Sequence, residues 1–111
     1  MEKINFDKTN GLVPAIVQEN KTGAVLMLGY MNKQSLQKTI SDGVVTFWSR
    51  SRKVLWTKGE TSENTLKVES IYIDCDEDTL LINAKLIGTH VCHTGNRTCF
   101  NKKLLVTKTK I

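Results

Sequence analysis

The sequence predicts a mainly β, β-rich α+β domain: short strands around a single α-helix. Three observations predict it. Short runs rich in Val, Ile, Leu, Thr and aromatic residues recur along the chain, each bounded by Gly, Asn, Asp or Ser clusters. One stretch alone, residues 32–42, combines helical spacing with a cap at each end. The length of 111 residues with 40% hydrophobic content suits one core, hence one domain over residues 1–111.

Residues 1–10 read as a lead-in segment, with Ile4 and Phe6 available for packing. Residues 13–18 form the first strand, with Pro14 at its start, where a missing N–H costs least. Glu19-Asn20-Lys21-Thr22-Gly23 reads as a turn into a second strand at 24–30, so the two make a hairpin. In the helix, Asn32 is the N-cap and Gly43 takes the C-terminal glycine position. Leu36 and Ile40 fall four apart on one face, and Met31 packs at the helix start. Residues 44–49 and 53–57 are strands around the basic turn Arg50-Ser51-Arg52, and 58–64 is a polar loop. Residues 66–75 and 79–86 are strands around an acidic turn. A long irregular loop, 88–100, carries two cysteines and both histidines; in compact domains ordered loops of that length are usually functional. Residues 104–106 read as a last short strand.

No apolar run approaches the ~20 residues a membrane helix needs. The N-terminus has no basic start followed by an apolar core, so it is not a signal peptide, and a cytoplasmic location is expected. The net charge of +5 suits a phosphorylated small substrate, a nucleic acid or a simple solvated surface. Three cysteines would leave one unpaired in a secreted protein; in a reducing compartment they favour metal binding or catalysis.

Four constellations carry chemistry. In Asp74-Cys75-Asp76-Glu77-Asp78 an extended backbone would put Asp74, Asp76 and Asp78 on one face and Cys75 on the other. Carboxylates suit Mg²⁺ and a thiolate suits Zn²⁺; the plain alternative is a polar turn. Cys75, Cys92 and Cys99 lack the paired spacing of a structural zinc module, and three ligands leave a fourth position for water, as in catalytic zinc sites. A fourth ligand from His90 or His93 would instead close a structural site, and unligated thiols are the third option. His93, next to Cys92, is a candidate general acid or base, or else a loop histidine bonded to backbone. Finally, Phe47-Trp48-Ser49-Arg50-Ser51-Arg52 and Trp56-Thr57-Lys58-Gly59-Glu60-Thr61-Ser62 combine cations, hydroxyls and stacking rings that suit phosphates and a base. A basic turn beside core tryptophans explains them equally, and a small barrel binding single-stranded nucleic acid would use the same residues.

These runs occur together and in order with Gly11-Leu12-Val13-Pro14-Ala15-Ile16-Val17-Gln18, Val25-Leu26-Met27-Leu28-Gly29-Tyr30-Met31-Asn32, Asp74-Cys75-Asp76-Glu77-Asp78-Thr79-Leu80-Leu81 and Cys92-His93-Thr94-Gly95-Asn96-Arg97-Thr98-Cys99-Phe100. Over residues 11–100 the chain closely resembles the phosphoribosyl-AMP cyclohydrolases, enzymes of histidine biosynthesis. The resemblance implies a pseudo-barrel of mixed strands that opens the N1–C6 bond of a purine nucleotide alkylated at N1 by phosphoribose. It implies Zn²⁺ on Cys75, Cys92 and Cys99, and Mg²⁺ on Asp74, Asp76 and Asp78. It also implies a homodimer whose zinc sites draw cysteines from both subunits. On that basis His93 is the expected proton shuttle, and Arg50, Arg52, Trp56, Lys58 and Arg97 are expected to bind the substrate. No membrane or nucleic-acid partner is then expected. The runner-up is a non-catalytic, zinc-stabilised β-barrel that binds single-stranded nucleic acid. The chain departs from the family pattern at Gly29, more often alanine, at Thr61-Ser62-Glu63-Asn64 and at Thr89-His90-Val91.

Overall fold

A computed structural model describes residues 3–107. A 3-10 turn at Asp7–Thr9 precedes β1 (Val13–Glu19), β2 (Val25–Met31), α1 (Lys33–Asp42), β3 (Thr46–Ser49), β4 (Val54–Thr57), β5 (Thr65–Ile73) and β6 (Leu80–Ile87). The main sheet has the order β2-β1-β6-β5, and β3 pairs with β4 in a separate ribbon. Pairing in the sheet is antiparallel except between β1 and β6, which run parallel.

β1 and β6 are the two inner strands, and the residues of β1 alternate between buried and half-exposed along its length. Val13, Ala15 and Val17 face the core against Leu80, Ile82 and Ala84 of β6. The hairpin to β2 forms as expected: Gly23 takes a positive φ of 79°, Glu19 N–H donates to Ala24 O, and Gln18 Nε2 donates to Gly23 O. Ile4 and Phe6 of the lead-in pack against the core.

The segment ahead of β3 binds the two sheets into one wrapped body. Val45 N–H donates to Leu66 O, Val68 N–H to Gly43 O, and Lys58 N–H to Val45 O. Phe47 of β3 then lies directly over Gly29 of β2, with Trp56 beside it at a ring separation of 5.7 Å. This is the mixed-strand, mainly β arrangement with one α-helix that the sequence predicts.

The caps of α1 are as read: Asn32 accepts from Ser35 N–H, the Ser35 hydroxyl accepts from Asn32 N–H, and Gly43 closes the helix at φ 75°. The buried face differs from the expectation in part: Leu36 packs against the core and Met31 is buried, as read, but Ile40 is not. Ile40 is 61% exposed, while Ser35 and Thr39 are fully buried. Thr39 faces β3, where its Oγ1 accepts from Thr46 N–H at 3.0 Å, and Ser35 is spent on the cap with Asn32.

Two other expectations are corrected. β5 stops at Ile73 and does not reach Cys75, because Asp74 Oδ1 accepts from both Asp78 N–H and Thr79 N–H and folds the chain into a turn. Strand alternation therefore does not order Asp74, Cys75, Asp76 and Asp78. Residues 104–106 form no strand; Leu104, Leu105 and Val106 are exposed. No helix among the described residues is long and apolar enough to cross a membrane.

A Cβ at Gly29 would stand 2.5 Å from Phe47 Cδ1. Gly29→Ala gains roughly 0.4–1 kcal/mol from a less flexible unfolded chain, but overpacking a rigid buried ring costs about 1–3 kcal/mol. The net expectation is a lower Tm in thermal denaturation, partly recovered by adding Phe47→Leu. An unchanged or raised Tm would show that the ring has room to move.

Candidate active site

The loop 88–100 departs from the end of β6 and is fixed at several points. Gly88 is required at its start: φ is 137°, and a Cβ there would stand 2.2 Å from Asn64 Oδ1. That oxygen accepts from Thr89 N–H at 2.9 Å. Val91 is buried in the core like a peg. A tight turn follows, with Cys92 N–H donating to Asn96 O, Gly95 N–H to Cys92 O and Val91 N–H to Arg97 O. On the return, Thr98 Oγ1 donates to Val25 O at 2.8 Å and Cys99 N–H to Leu26 O at 2.8 Å. Arg97 forms an ion pair with Glu19 at the end of β1.

This folding brings Cys92 and Cys99 close enough to perturb one another's ionisation. The Thr94 hydroxyl, 3.0 Å from Cys92 Sγ, is the main reason that the Cys92 thiol ionises below its ordinary range. Cys99 is pushed up, first by desolvation and then by its neighbour Cys92. A cavity of about 140 Å³ beside them is lined by Trp56, Lys58, Ser62, His90, Cys92 and His93. His90 is held at both ring nitrogens. Asn64 Nδ2, a donor only, lies 3.4 Å from Nε2, so the ring proton sits on Nδ1 and is donated to Thr89 Oγ1 at 2.8 Å. His93 is exposed at the cavity.

The other expected site residues lie elsewhere. Arg50 stacks over the Tyr30 ring at 3.9 Å, and Arg52 is exposed in the β3–β4 turn. Cys75, Asp74, Asp76 and Asp78 occupy the β5–β6 turn, with Cys75 exposed beside a surface hollow of about 460 Å³. The eight residues of β6 separate this turn from the loop 88–100. A strand of that length spans about 25 Å. Cys75 therefore cannot meet Cys92 and Cys99 of its own chain. Among the described residues, no three His, Cys, Asp or Glu side chains converge as a metal-ligand set. The donor chemistry still fits: two thiols meet at one end of the sheet, and a third thiol with three carboxylates is displayed at the other.

The acidic turn is answered from the lead-in segment. Lys8 Nζ lies 3.1 Å from Asp78 Oδ2 and donates to Asp76 O, while Asn5 N–H donates to Glu77 O. Asp78 is lowered by Lys8, and Lys8 is raised by Asp78. The Cys75 thiol is pushed up by its contact with Asp76. Sequence reading missed Glu19, Thr94, Lys8 and Asn64. Thr94 had a usable signal, since it follows Cys92 by two positions; the others reach the site only through contacts distant in sequence.

The family model described as phosphoribosyl-AMP cyclohydrolase matches residues 27–101. A phosphoribosyl-AMP cyclohydrolase of Desulfatibacillum aliphaticivorans is 55% identical over 92% of this chain and 82% of its own length. Histidine biosynthesis bifunctional proteins HisIE of Photobacterium profundum and Bacteroides thetaiotaomicron are 56% and 58% identical over 88% and 91% of this chain. They are matched over 47% and 49% of their own lengths, so the chain spans about half of each of these bifunctional relatives.

In the metal-free protein, the pH at which alkylation by iodoacetamide reaches half its limiting rate should be lowest for Cys92 among the three cysteines. Thr94→Val should move that midpoint upward and leave Cys75 unchanged. Peptide mass spectrometry of pH-resolved labelling reads both, and an unmoved Cys92 midpoint would exclude the hydroxyl as the cause.

Proposed function

This chain belongs to the phosphoribosyl-AMP cyclohydrolase family, and from that premise we propose that it hydrolyses 1-(5-phosphoribosyl)-AMP at the N1–C6 bond, a step of histidine biosynthesis, in the cytoplasm. The observation that carries the reading is the juxtaposition, in one cavity, of Cys92, His93, Trp56 and Lys58, with Cys99 next to Cys92.

Alkylation at N1 leaves the purine cationic and C6 electrophilic. Water adds its oxygen to C6, the N1–C6 bond breaks, and N1 leaves with a proton. We assign the movement of that proton to His93; its exposure at the cavity beside Cys92 supports the reading. Trp56 offers a face to the base, and Lys58, 5.9 Å above that ring, offers a cation to a phosphate. Arg50, stacked over Tyr30, and Arg52, exposed in its turn, are the further cations assigned to phosphate; neither takes part in a salt bridge among the described residues. Zn²⁺ held by Cys92 and Cys99 with Cys75 of a second copy would supply the Lewis acid that activates the water. Asp74, Asp76 and Asp78 are the hard-oxygen donors for Mg²⁺, in competition with Lys8 at Asp78.

The reading includes a homodimer with shared sites. Its support is geometric: the third thiol lies at the opposite end of β6, and about 140 Å³ is below the roughly 300 Å³ at which pockets for drug-sized ligands begin.

Subunit mixing tests the shared site. Cys75→Ala and Cys92→Ala should each be inactive, as judged by the loss of the purine ultraviolet chromophore. After dissociation and reassociation together, half the dimers are mixed and each carries one intact site, so about a quarter of wild-type turnover should return. Mixtures as inactive as the parents would exclude sharing. Separately, His93→Ala should lower turnover by about 10²–10⁴-fold with zinc content retained. An unchanged rate would remove His93 from the proton transfer.

A further inference from the structure

Glu19 lies outside the cavity and outside every motif named above, yet its carboxylate is 9% exposed. Burying a carboxylate costs several kcal/mol unless it is paired and hydrogen-bonded. Glu19 has both kinds of partner: Thr22 Oγ1 donates to Oε1 at 2.7 Å, and the Arg97 guanidinium pairs with Oε2. The carboxyl is accordingly held below its ordinary range, first by Thr22 and then by Arg97.

The Arg97 end of this pair is where the loop is built. Its carbonyl accepts from Val91 N–H, adjacent to Cys92, and the following residues Thr98 and Cys99 bond to the start of β2. Arg97 thus links the limb that carries Cys92 to the limb that carries Cys99. Its side chain ties both to the end of β1, across 78 residues of sequence. The other ties each secure one limb: Thr89 N–H to Asn64 Oδ1 and the buried Val91 hold the Cys92 side, and Thr98 Oγ1 to Val25 O and Cys99 N–H to Leu26 O hold the Cys99 side.

We propose that Glu19 is a positioning residue: through Arg97 it fixes the separation of the Cys92 and Cys99 sulfurs, and so sets the metal affinity of the site without touching metal or substrate. This rests on the reading that Cys92 and Cys99 hold a metal. It gives Arg97 a first role different from the phosphate contact that the sequence suggests. A guanidinium already neutralised by a buried carboxylate offers little net charge to a phosphate, whereas among the described residues Arg50 and Arg52 have no carboxylate partner.

The test uses the full-length protein and three readouts: zinc affinity by competition with a chromophoric chelator, the thiolate charge-transfer bands of the Co²⁺ form, and the split of turnover into kcat and KM. Glu19→Gln should weaken zinc binding by about 10–100-fold, the usual effect of losing a partner that orients a metal ligand. It should also shift the Co²⁺ bands and lower kcat, with KM nearly unchanged. Arg97→Gln should do the same, and the double variant should be no worse than either single one. Thr22→Val, which spares the ion pair, should lose much less affinity. Arg97→Lys, which keeps a cation opposite Glu19, should fall between wild type and Arg97→Gln; with Thr22→Val it decides the matter if Glu19→Gln does not fold. Wild-type zinc affinity and Co²⁺ bands in folded Glu19→Gln would overturn the proposal, as would an effect of both charge variants on KM alone. Cys92→Ser separates the failures. If it abolishes zinc binding while Glu19→Gln does not weaken it, only the positioning role falls. If Cys92→Ser also binds zinc normally, the metal reading and this proposal fall together.

Discussion

The structure depends on the pairing of β1 on both sides, antiparallel to β2 and parallel to β6. A strand with neighbours on both edges leaves no unpaired ladder, and the fully buried Val13, Ala15 and Val17 anchor the apolar layer. The parallel partner has a second consequence. Because β1 and β6 run the same way, the turn before β6 lies at the start of β1, and the loop after β6 lies at its end. Cys75 and the aspartates are therefore placed at one pole of the sheet, and Cys92, His93 and Cys99 at the other. The register Ala15↔Leu80 through Glu19↔Ala84 leaves no slack by which the poles could approach within one chain.

What was legible in the sequence was local. The caps at Asn32 and Gly43 and the β1–β2 turn are each decided by neighbouring residues, and each is found; the packing of Ile4 and Phe6 follows from their apolar side chains alone. What was not legible required contacts at a distance. Nothing in a run of alternating apolar residues says that β6 pairs in parallel with β1. Leu36 and Ile40 carry the apolar signal in α1, but only Leu36 packs on the core; Ser35 and Thr39 are the fully buried positions, Thr39 bonded to Thr46 of β3. At Asp74 the sequence supports two local readings, strand alternation and a polar turn, and the turn is the one found: an Asp side chain that captures the N–H groups of Asp78 and Thr79 competes directly with the ladder.

The site shows the same division. The Cys92–His93 run and the Trp56–Lys58 run are recognisable as motifs, and the fold joins them through one cavity. That Cys75 stands apart from its two counterparts is a matter of strand direction, invisible in spacing. Glu19 looked like a turn residue because it is one: its backbone closes the hairpin through Ala24 and Gly23. Its side chain carries a second duty that appears only once Arg97 arrives from 78 positions away.

The two poles also differ in electrostatics, and the difference bears on how a split site would assemble. At the acidic pole Lys8 answers Asp78 at the surface, where solvent screening makes an ion pair weak and readily exchanged for a stronger cation. At the thiol pole the Arg97–Glu19 pair has one nearly buried member, and breaking it would strand a carboxylate in a poorly solvated place. One pole is thus adaptable and the other fixed. In a site formed between two copies, the rigid thiol pair would set the geometry, and the exposed turn carrying Cys75 would adjust to meet it. Metal binding would then report assembly as well as chemistry, because among the described residues neither pole alone brings three thiols together.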